Sequence, residues 1–330
     1  MASIREVAKL ANVSPATVSR VMNGTANVDT EKKERVLRAI SETGFIPNEV
    51  ARSLFKKSAK IIGLVLPSIE NPFFTQMASA VEKEADANGY RVLLYNTGND
   101  FEKEKSAIQM LLSMNADGII LTRSDERLKP YVESCTVPIV ITDTLFSGGE
   151  ADAYVYSDHY QGGRLAAQHL IDCGCRKLVC IRGLQGIVSA RARYEGFRAV
   201  CNEHGIEARY VDCDYTFAKG LEASEYMLEK YPDVDGVVAC NDMVAISAFK
   251  VLHRKGIQVP EQVQLIGFDD IDLASLMSPG LTTIAQPIKE IGRQAAELII
   301  KNEEHNLGEK RYILPVFLVE RETTKKRKQS

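Results

Sequence analysis

The sequence contains no stretch of 18 apolar residues, which excludes a transmembrane helix. Its first residues, MASIREVAKLANVS, carry no apolar signal core, so a cytoplasmic protein is expected rather than an exported one. The seven cysteines are odd in number and include no C-x-x-C pair. This disfavours a disulfide framework and a zinc ribbon, and it fits a reducing cytosol. Histidine is scarce, with five residues and no H-E-x-x-H spacing. G-x-x-x-x-G-K-[ST], G-x-G-x-x-G and G-x-S-x-G are all missing, which removes those phosphate cradles and the nucleophile elbow. No cofactor is implied. Paired aspartates could in principle serve as acid and base, but with neither a metal site nor a nucleophile pattern the chain reads as a non-enzyme. Tryptophan is absent altogether.

What is present is ordinary in bulk and uneven in detail. The 330 residues allow two or three domains, and 45% hydrophobic with 26% charged residues is the composition of a soluble globular chain. Net charge is −3, yet the first sixty residues hold eleven Lys/Arg against six Asp/Glu. A basic head on an acidic body suits a protein whose head alone meets a polyanion.

Three short helices are expected in that head. Ser3 with Glu6 forms a capping box for the first. Asn12-Val13 is a turn. Ser14-Pro15 starts the second helix, with Ser as cap and Pro at the first helical position, and Gly24 stops it. The third spans about 30–43, with Val36, Leu37 and Ile40 inward, and ends at Gly44. The tight turn between the first two makes a helix-turn-helix. On the second helix Thr17, Ser19, Arg20 and Asn23 face outward, and hydroxyl and amide side chains beside an arginine suit phosphates and base edges. After Pro47, Asn48 caps EVARSLFKK. This segment is too short to stay helical alone, yet its stripe of Val50, Ala51, Leu54 and Phe55 has no obvious cover. It is expected to order only on contact with a partner.

From Ile61 the rhythm changes. Apolar runs such as IIGLVLP, YRVLLYN, DGIILT, PIVITD, KLVCIRG, GVVACND and VQLIGFDD alternate with amphipathic helices near 74–88, 102–114, 190–204, 219–230 and 243–255. Near-continuous apolar strands between helices mean parallel sheets in an α/β fold. Residues 61–97 and 177–214 share a strand–loop–helix–glycine–strand plan, a weak repeat that implies two doubly wound halves. KKRKQS at the end is basic and reads as a disordered tail.

In open α/β sheets, ligands bind beyond the carboxyl ends of the strands. The residues there are Asn71, Phe73, Phe74, Thr122-Arg123, Asp143, Ser157-Asp158, Tyr215, Asn241-Asp242, Asp269-Asp270 and Gln286, with Arg191 and Arg193 opening a helix. His159 sits beside them. Carboxylates accept from vicinal hydroxyls, amides donate and accept, arginine donates in a fixed fork, and aromatic faces cover sugar C–H groups. Each strand-end Asp or Asn taken singly is equally a helix cap; the whole set favours a polar ligand cleft.

IREVAKLANVSPATVSRVMNG, GFIPNEVARSL, IGLVLPSIENPFF, NDMVAISA and IGFDDIDLASLMSPGLTTIAQP together resemble the lactose/galactose repressor (LacI/GalR) family of bacterial transcription regulators. The resemblance spans Ile4 to about Arg321. It implies a small all-α helix-turn-helix headpiece (1–47) and a hinge helix with its linker (48–60). A two-subdomain core like periplasmic sugar-binding proteins (61–324) would follow, then a tail (325–330). One subdomain would comprise about 61–158 and 288–316, the other about 159–287 and 317–324. It implies a homodimer on palindromic operator DNA, with Pro15, Ala16 and Arg20 reading bases and Arg20 on a guanine. Ser14, Thr17, Ser19 and Asn23 would hold phosphates. Asn48, Ala51 and Leu54 would belong to the hinge, with Leu54 wedged into the minor groove.

The cleft is most similar to ribose binders and ribose operon repressors, at Asn71–Phe74, Asp143, Ser157, Leu184–Ile187, Ala190–Arg193, Asn241, Phe268-Asp269 and Thr283–Gln286. Thr144, where periplasmic ribose binders carry arginine, and Tyr215 in place of phenylalanine are departures. Ile187 stands where purine-binding members carry a polar contact. The effector implied is ribose or a related pentose acting as inducer. The alternatives are a corepressor, a phosphocarrier protein as the main signal, or a sugar-binding or sugar-modifying protein without a DNA role.

Overall fold

A computed structural model of the chain describes residues 2–23, 28–45, 58–122, 126–143, 153–302 and 310–325. It divides into two compact units, Met1–Ala59 and Lys60–Ser330. The hinge segment expected to follow Pro47, with Asn48, Ala51 and Leu54, lies outside the described residues, as do Arg123, Thr144 and residues 326–330 of the basic tail.

The first unit contains α1 (Ile4–Leu10), α2 (Pro15–Asn23) and α3 (Thr30–Thr43). The capping box is formed: the Glu6 amide donates to Ser3 Oγ at 3.3 Å, and the Ser3 amide to Glu6 Oε2 at 2.6 Å. Asn12, at φ 53°, turns the chain. Ser14 Oγ accepts the Thr17 amide at 3.2 Å, and Gly44, at φ 58°, ends α3. Val7, Ala8, Ala11, Val18, Val36 and Ala39 form the core. Leu37 corrects the expectation, because it is 51% exposed. On a 3.6-residue helix Val36, Ala39 and Ile40 share one face while Leu37 is turned away. The short α1 and α2 cover only a narrow stripe of α3.

The second unit has twelve strands among the described residues. They are β1 (Ile61–Leu66), β2 (Arg91–Asn96), β3 (Gly118–Thr122), β4 (Ile139–Thr142), β5 (Ala153–Ser157) and β6 (Leu178–Arg182). Then come β7 (Arg209–Asp212), β8 (Gly236–Ala239), β9 (Gln264–Asp269), β10 (Thr282–Ala285), β11 (Lys310–Leu314) and β12 (Phe317–Val319). Two sheets result, with orders β11-β5-β4-β3-β1-β2 and β12-β10-β9-β8-β6-β7. Substituting β6–β10 for β1–β5 and β12 for β11 turns one order into the other, so the internal repeat is real at the level of topology. All pairings are parallel except β10 with β12. The central strands β3, β4 and β9 are buried along their whole length, as parallel strands covered on both faces must be.

The chain changes sheets three times. Ser157 ends β5 in the first sheet, and helix His159–Asp172 packs on the second. Gln286 follows β10 in the second sheet, and helix Ile288–Ile300 packs on the first. Between β11 and β12 it crosses again. Helices begin where the sequence supplies caps: Asn71, Asp100, Asp158, Thr216 and Asn241 each accept a first-turn amide.

Helices His159–Asp172 and Val188–Glu203 touch backbone to backbone through two glycines. A Cβ on Gly163 would lie 1.9 Å from the Arg193 carbonyl oxygen, and one on Gly196 2.0 Å from that of Tyr160. This closeness brings His159 and Arg193 together. Gly→Ala inside a helix ordinarily stabilises by up to about 1 kcal/mol. Here the sign is reversed: Gly163→Ala is expected to cost about 1–3 kcal/mol from overpacking. Urea unfolding of the variant measures this, and unchanged or greater stability would contradict the close packing.

Candidate functional site

Two regions of the molecule carry chemistry. On the headpiece, Ser14, Pro15, Ala16 and Arg20 are exposed and Thr17 and Ser19 are half-buried, while Val18 is in the core. The amphipathic helix therefore turns its hydroxyls and arginine outward as expected. Ser14 Oγ and Thr17 Oγ1 are 2.9 Å apart, so Ser14 caps the helix and still presents its hydroxyl at the first turn, where backbone N–H groups attract phosphate. The side chain of Asn23 lies outside the described part of its helix.

In the core unit, the strand ends of both sheets meet at Arg193. Its side chain is 8% exposed and set among polar groups. Nη1 donates to the Cys240 carbonyl at 2.6 Å, and Nε donates to His159 Nδ1 at 3.2 Å. Nη1 lies 3.6 Å from Asp269 Oδ1 of the second sheet, and Nη2 lies 3.9 Å from Asp143 Oδ1 of the first. The guanidinium also stacks on Phe268, 3.8 Å from the ring centroid. Because Nδ1 of His159 accepts, the network assigns its proton to Nε2, which points at Asp143 Oδ1, 3.5 Å away. Asp269 Oδ1 accepts from Gln286 Nε2 at 2.7 Å.

The remaining expected residues surround this cluster unevenly. Asn241 caps its helix through Oδ1 and donates Nδ2 to the Tyr215 carbonyl at 3.2 Å. Tyr215 is buried with its phenol against Gly183, where a Cβ would approach the phenol oxygen to 2.5 Å. Asn71 caps the helix Pro72–Ala87 by accepting the Phe73 amide at 3.0 Å. Phe73 and Phe74 meet edge to face, 5.1 Å between centroids, and both are buried in the first subdomain's core. Asn71, Asn241 and Asp158 are thus caps as well as strand-end residues. Arg191 is not part of the cluster; its side chain is exposed on the far side of its helix.

A cavity of about 190 Å³ opens beside Arg193's partners, lined by Asp143, Ser157, His159, Val188, Ser189 and Ile313 among others. Ser157 Oγ, Ser189 Oγ and Gln286 Oε1 are buried with no hydrogen-bond partner among the described residues. A buried hydroxyl left unpaired costs free energy, which a hydroxylated ligand would recover. Ser189 was missed by sequence reasoning, and Asp242 was named only as a strand-end residue. The available signal for Ser189 was position, one turn before Arg193. Among the described residues no cluster of acidic, His and Cys side chains could hold a metal ion, and no helix is long and apolar enough to cross a membrane.

Residues 3–48 match the family of bacterial regulatory proteins, lacI family. Residues 59–322 match the periplasmic binding proteins and sugar binding domain of the LacI family. A protein of Halalkalibacterium halodurans named ribose operon repressor is 42% identical over 326 residues, 98% of each chain. A periplasmic binding protein/LacI transcriptional regulator from Alkaliphilus metalliredigens, solved with D-xylulofuranose, is 36% identical; the match covers 80% of this chain and 99% of that one, with TM-score 0.72. The lac repressor dimer bound to operator and the anti-inducer ONPF is 27% identical over 98% of both chains, with TM-score 0.89.

Replacing Arg193 would leave Asp143 and Asp269 buried beside each other without their shared cation. Removing one partner of a buried ion cluster typically costs about 3–5 kcal/mol. Arg193→Met is therefore expected to lose about 3 kcal/mol or more of stability in a chemical-denaturation experiment. A loss below about 1 kcal/mol, the range of surface pairs, would show that the cluster is solvated.

Proposed function

The chain belongs to the LacI family of bacterial regulatory proteins, and on that premise we propose that it represses a sugar-utilisation operon, binding a palindromic operator as a dimer and leaving it when ribose or a related pentose enters the core. The observation that carries this reading is the Arg193 cluster, which joins an aspartate from each sheet at their carboxyl ends. Proteins of this family are DNA-binding repressors, not enzymes.

The chemistry of the cluster fits a polyol. Asp143, Asp269, Gln286 and Asn241 offer acceptors and donors, the hydroxyls of Ser157 and Ser189 need partners, and Tyr215 and Phe73 supply flat apolar surface. Asn71, Phe74 and Arg191 complete the proposed effector set, although Arg191 is exposed and would have to turn inward on binding. A pentose is supported by the ribose operon repressor relative and by the xylulofuranose bound to the similar regulator.

The proposed headpiece roles follow the exposed face of α2. Arg20 reads a guanine, Pro15 and Ala16 touch apolar base edges, and Ser14, Thr17, Ser19 and Asn23 hold phosphates. Asn48, Ala51 and Leu54 of the hinge segment enter the minor groove. Self-association is supported by apolar side chains left on the surface, Leu94, Met110 and Met114 in the first subdomain and Leu273 and Leu276 in the second. In this mechanism sugar rearranges the two subdomains, the paired hinges separate, and the operator is released. A phosphocarrier protein or a corepressor in the same cleft is the competing signal.

Fluorescence anisotropy of a labelled palindromic operator at fixed salt, with and without D-ribose, tests the reading; salt is held fixed because phosphate contacts dominate affinity. Ribose is expected to release the operator. Arg20→Ala is expected to cost about 1–3 kcal/mol and to relax preference at one base pair. Leu54→Ala should weaken operator binding and leave ribose affinity of the free protein unchanged. Binding indifferent to ribose would refute the inducer and keep the DNA role; tightening by ribose would make it a corepressor.

A further inference from the structure

Behind the proposed effector cluster, with its two aspartates, lies a third carboxylate with no direct place in it. Asp242, the first residue of helix Asp242–Arg254, is fully buried. Its Oδ2 accepts the backbone amide of Ile271 at 2.9 Å, and its Oδ1 accepts the Thr283 hydroxyl at 2.6 Å. The backbone makes room for it at Gly267, where a Cβ would stand 2.1 Å from Asp242 Oδ1.

The amide that Asp242 holds ends an unusual turn. Asp269 and Asp270 have φ of 115° and 60°, two successive non-glycine residues in left-handed backbone. Such conformations persist only where the surroundings over-determine them. Three anchors do so here. Gln286 Nε2 donates to Asp269 Oδ1 at 2.7 Å, Arg321 Nη2 to Asp270 Oδ1 at 2.6 Å, and the Ile271 amide to Asp242. The first two anchors grip side chains, whereas Asp242 grips the Ile271 amide, beside the backbone bonds of the Gln286 amide to the Asp269 carbonyl at 3.1 Å and of the Ala274 amide to the Ile271 carbonyl at 2.8 Å.

The two ends of this turn face different parts of the molecule. Asp269 lies beside Arg193 in the cluster. Ile271, 1% exposed, is buried in the first subdomain's core with Phe73, Phe74 and Ile288. Three consecutive residues thus join the cluster to the opposite subdomain through one short rigid piece of backbone.

We propose that Asp242 is a positioning residue for effector binding: by holding the Ile271 amide and the Thr283 hydroxyl it fixes the turn 269–271, so that the aim of Asp269 at the ligand and the grip of Ile271 on the first subdomain are set together. This rests on the cleft reading above. Burial and the neighbouring Asp269 push the Asp242 carboxyl well above the usual carboxylate range. Asparagine is the conservative replacement: its oxygen can accept the Ile271 amide while its NH2 meets the Thr283 hydroxyl, which can also accept. Alanine removes both contacts.

The test compares the full-length protein with Asp242→Asn and Asp242→Ala by D-ribose calorimetry, sugar-free operator binding and amide hydrogen exchange. Asp242→Ala is expected to raise the ribose Kd at least tenfold, to leave operator Kd within twofold, and to speed exchange across 269–273 at least tenfold. Asp242→Asn should stay within threefold of the parent in all three. A purely structural carboxylate would lower thermal stability but move neither ribose affinity nor exchange at the turn, and that result would overturn the proposal. So would equal losses in the two variants. Should Asp242→Ala not fold, exchange in the unaltered protein decides, because an Ile271 amide as labile as a surface amide refutes the bond. If the parent itself binds no ribose, the pentose reading fails while the exchange comparison still judges Asp242.

Discussion

A guanidinium cannot lose its proton inside a protein, so wherever Arg193 is buried its charge is buried too. Desolvating that charge costs several kcal/mol or about that order unless hydrogen bonds and counter-charges replace water. Arg193 finds its replacements in three places at once: a carbonyl and an aspartate of the second sheet, the His159 ring at the crossover, and an aspartate of the first sheet. No single subdomain supplies all of them. The arrangement of the two halves is therefore tied to one cation, and any ligand that enters must offer the cation and both carboxylates something equivalent. A ring of hydroxyls can, since each hydroxyl both donates and accepts.

The repeat makes this geometry natural. Asp143 follows β4 and Asp269 ends β9, and β4 and β9 hold the same place in their sheets. Both aspartates sit in left-handed backbone, at φ 65° and 115°. For non-glycine residues such backbone carries a cost of about 1–3 kcal/mol each, and it gathers at ligand sites. Among the described residues, the other non-glycine residues in that region are Asn12, Lys60, Asn99, Asn115 and Asp270. Three of them are asparagines, the residue type that tolerates it best. Strained aspartates at matching positions of two sheets, both aimed at one arginine, are hard to account for as turns alone.

Much of this was legible in the chain. Local rules sufficed for the headpiece, where Ser3 with Glu6, Ser14 with Pro15, and Gly44 mark helix ends through chemistry acting over three or four residues. The two sheets were legible because buried parallel strands are apolar throughout. The misses have a common cause. Leu37 was placed on the wrong face of its helix, and Arg191 is exposed where Arg193, two residues on, is buried: one residue at 3.6 per turn is a rotation of about 100°, and sequence alone does not fix the phase. His159 was noted as a residue that could touch ligand and Asp242 as a strand-end residue, but their contacts were not foreseen and Ser189 went unseen, because what matters about them is a partner 34 or 29 residues away or, for Ser189, a cavity wall shared with the other subdomain. The role of Asp242 is hidden further, since an acidic residue in the first turn of a helix is already explained by the helix dipole.

A ligand moves an equilibrium only by its differential affinity for the two states. Arg193 bridges the halves through the protein's own groups, so a sugar acts by more than supplying a bridge. It must fit one arrangement of Asp143 and Asp269 better than the other. The turn 269–271 makes that discrimination consequential, because a shift of Asp269 carries Ile271 against Phe73 and Phe74 in the other subdomain. Packed cores resist continuous deformation, so small displacements at the ligand tend to become a choice between packings. Moving such a choice from mostly one state to mostly the other takes about 10⁴-fold in differential affinity. Under the proposed induction, linkage requires reciprocity: whatever factor a sugar removes from operator affinity, the operator removes from sugar affinity. A cleft held by strained aspartates and a permanent buried charge has the differential contacts from which such a factor can be drawn.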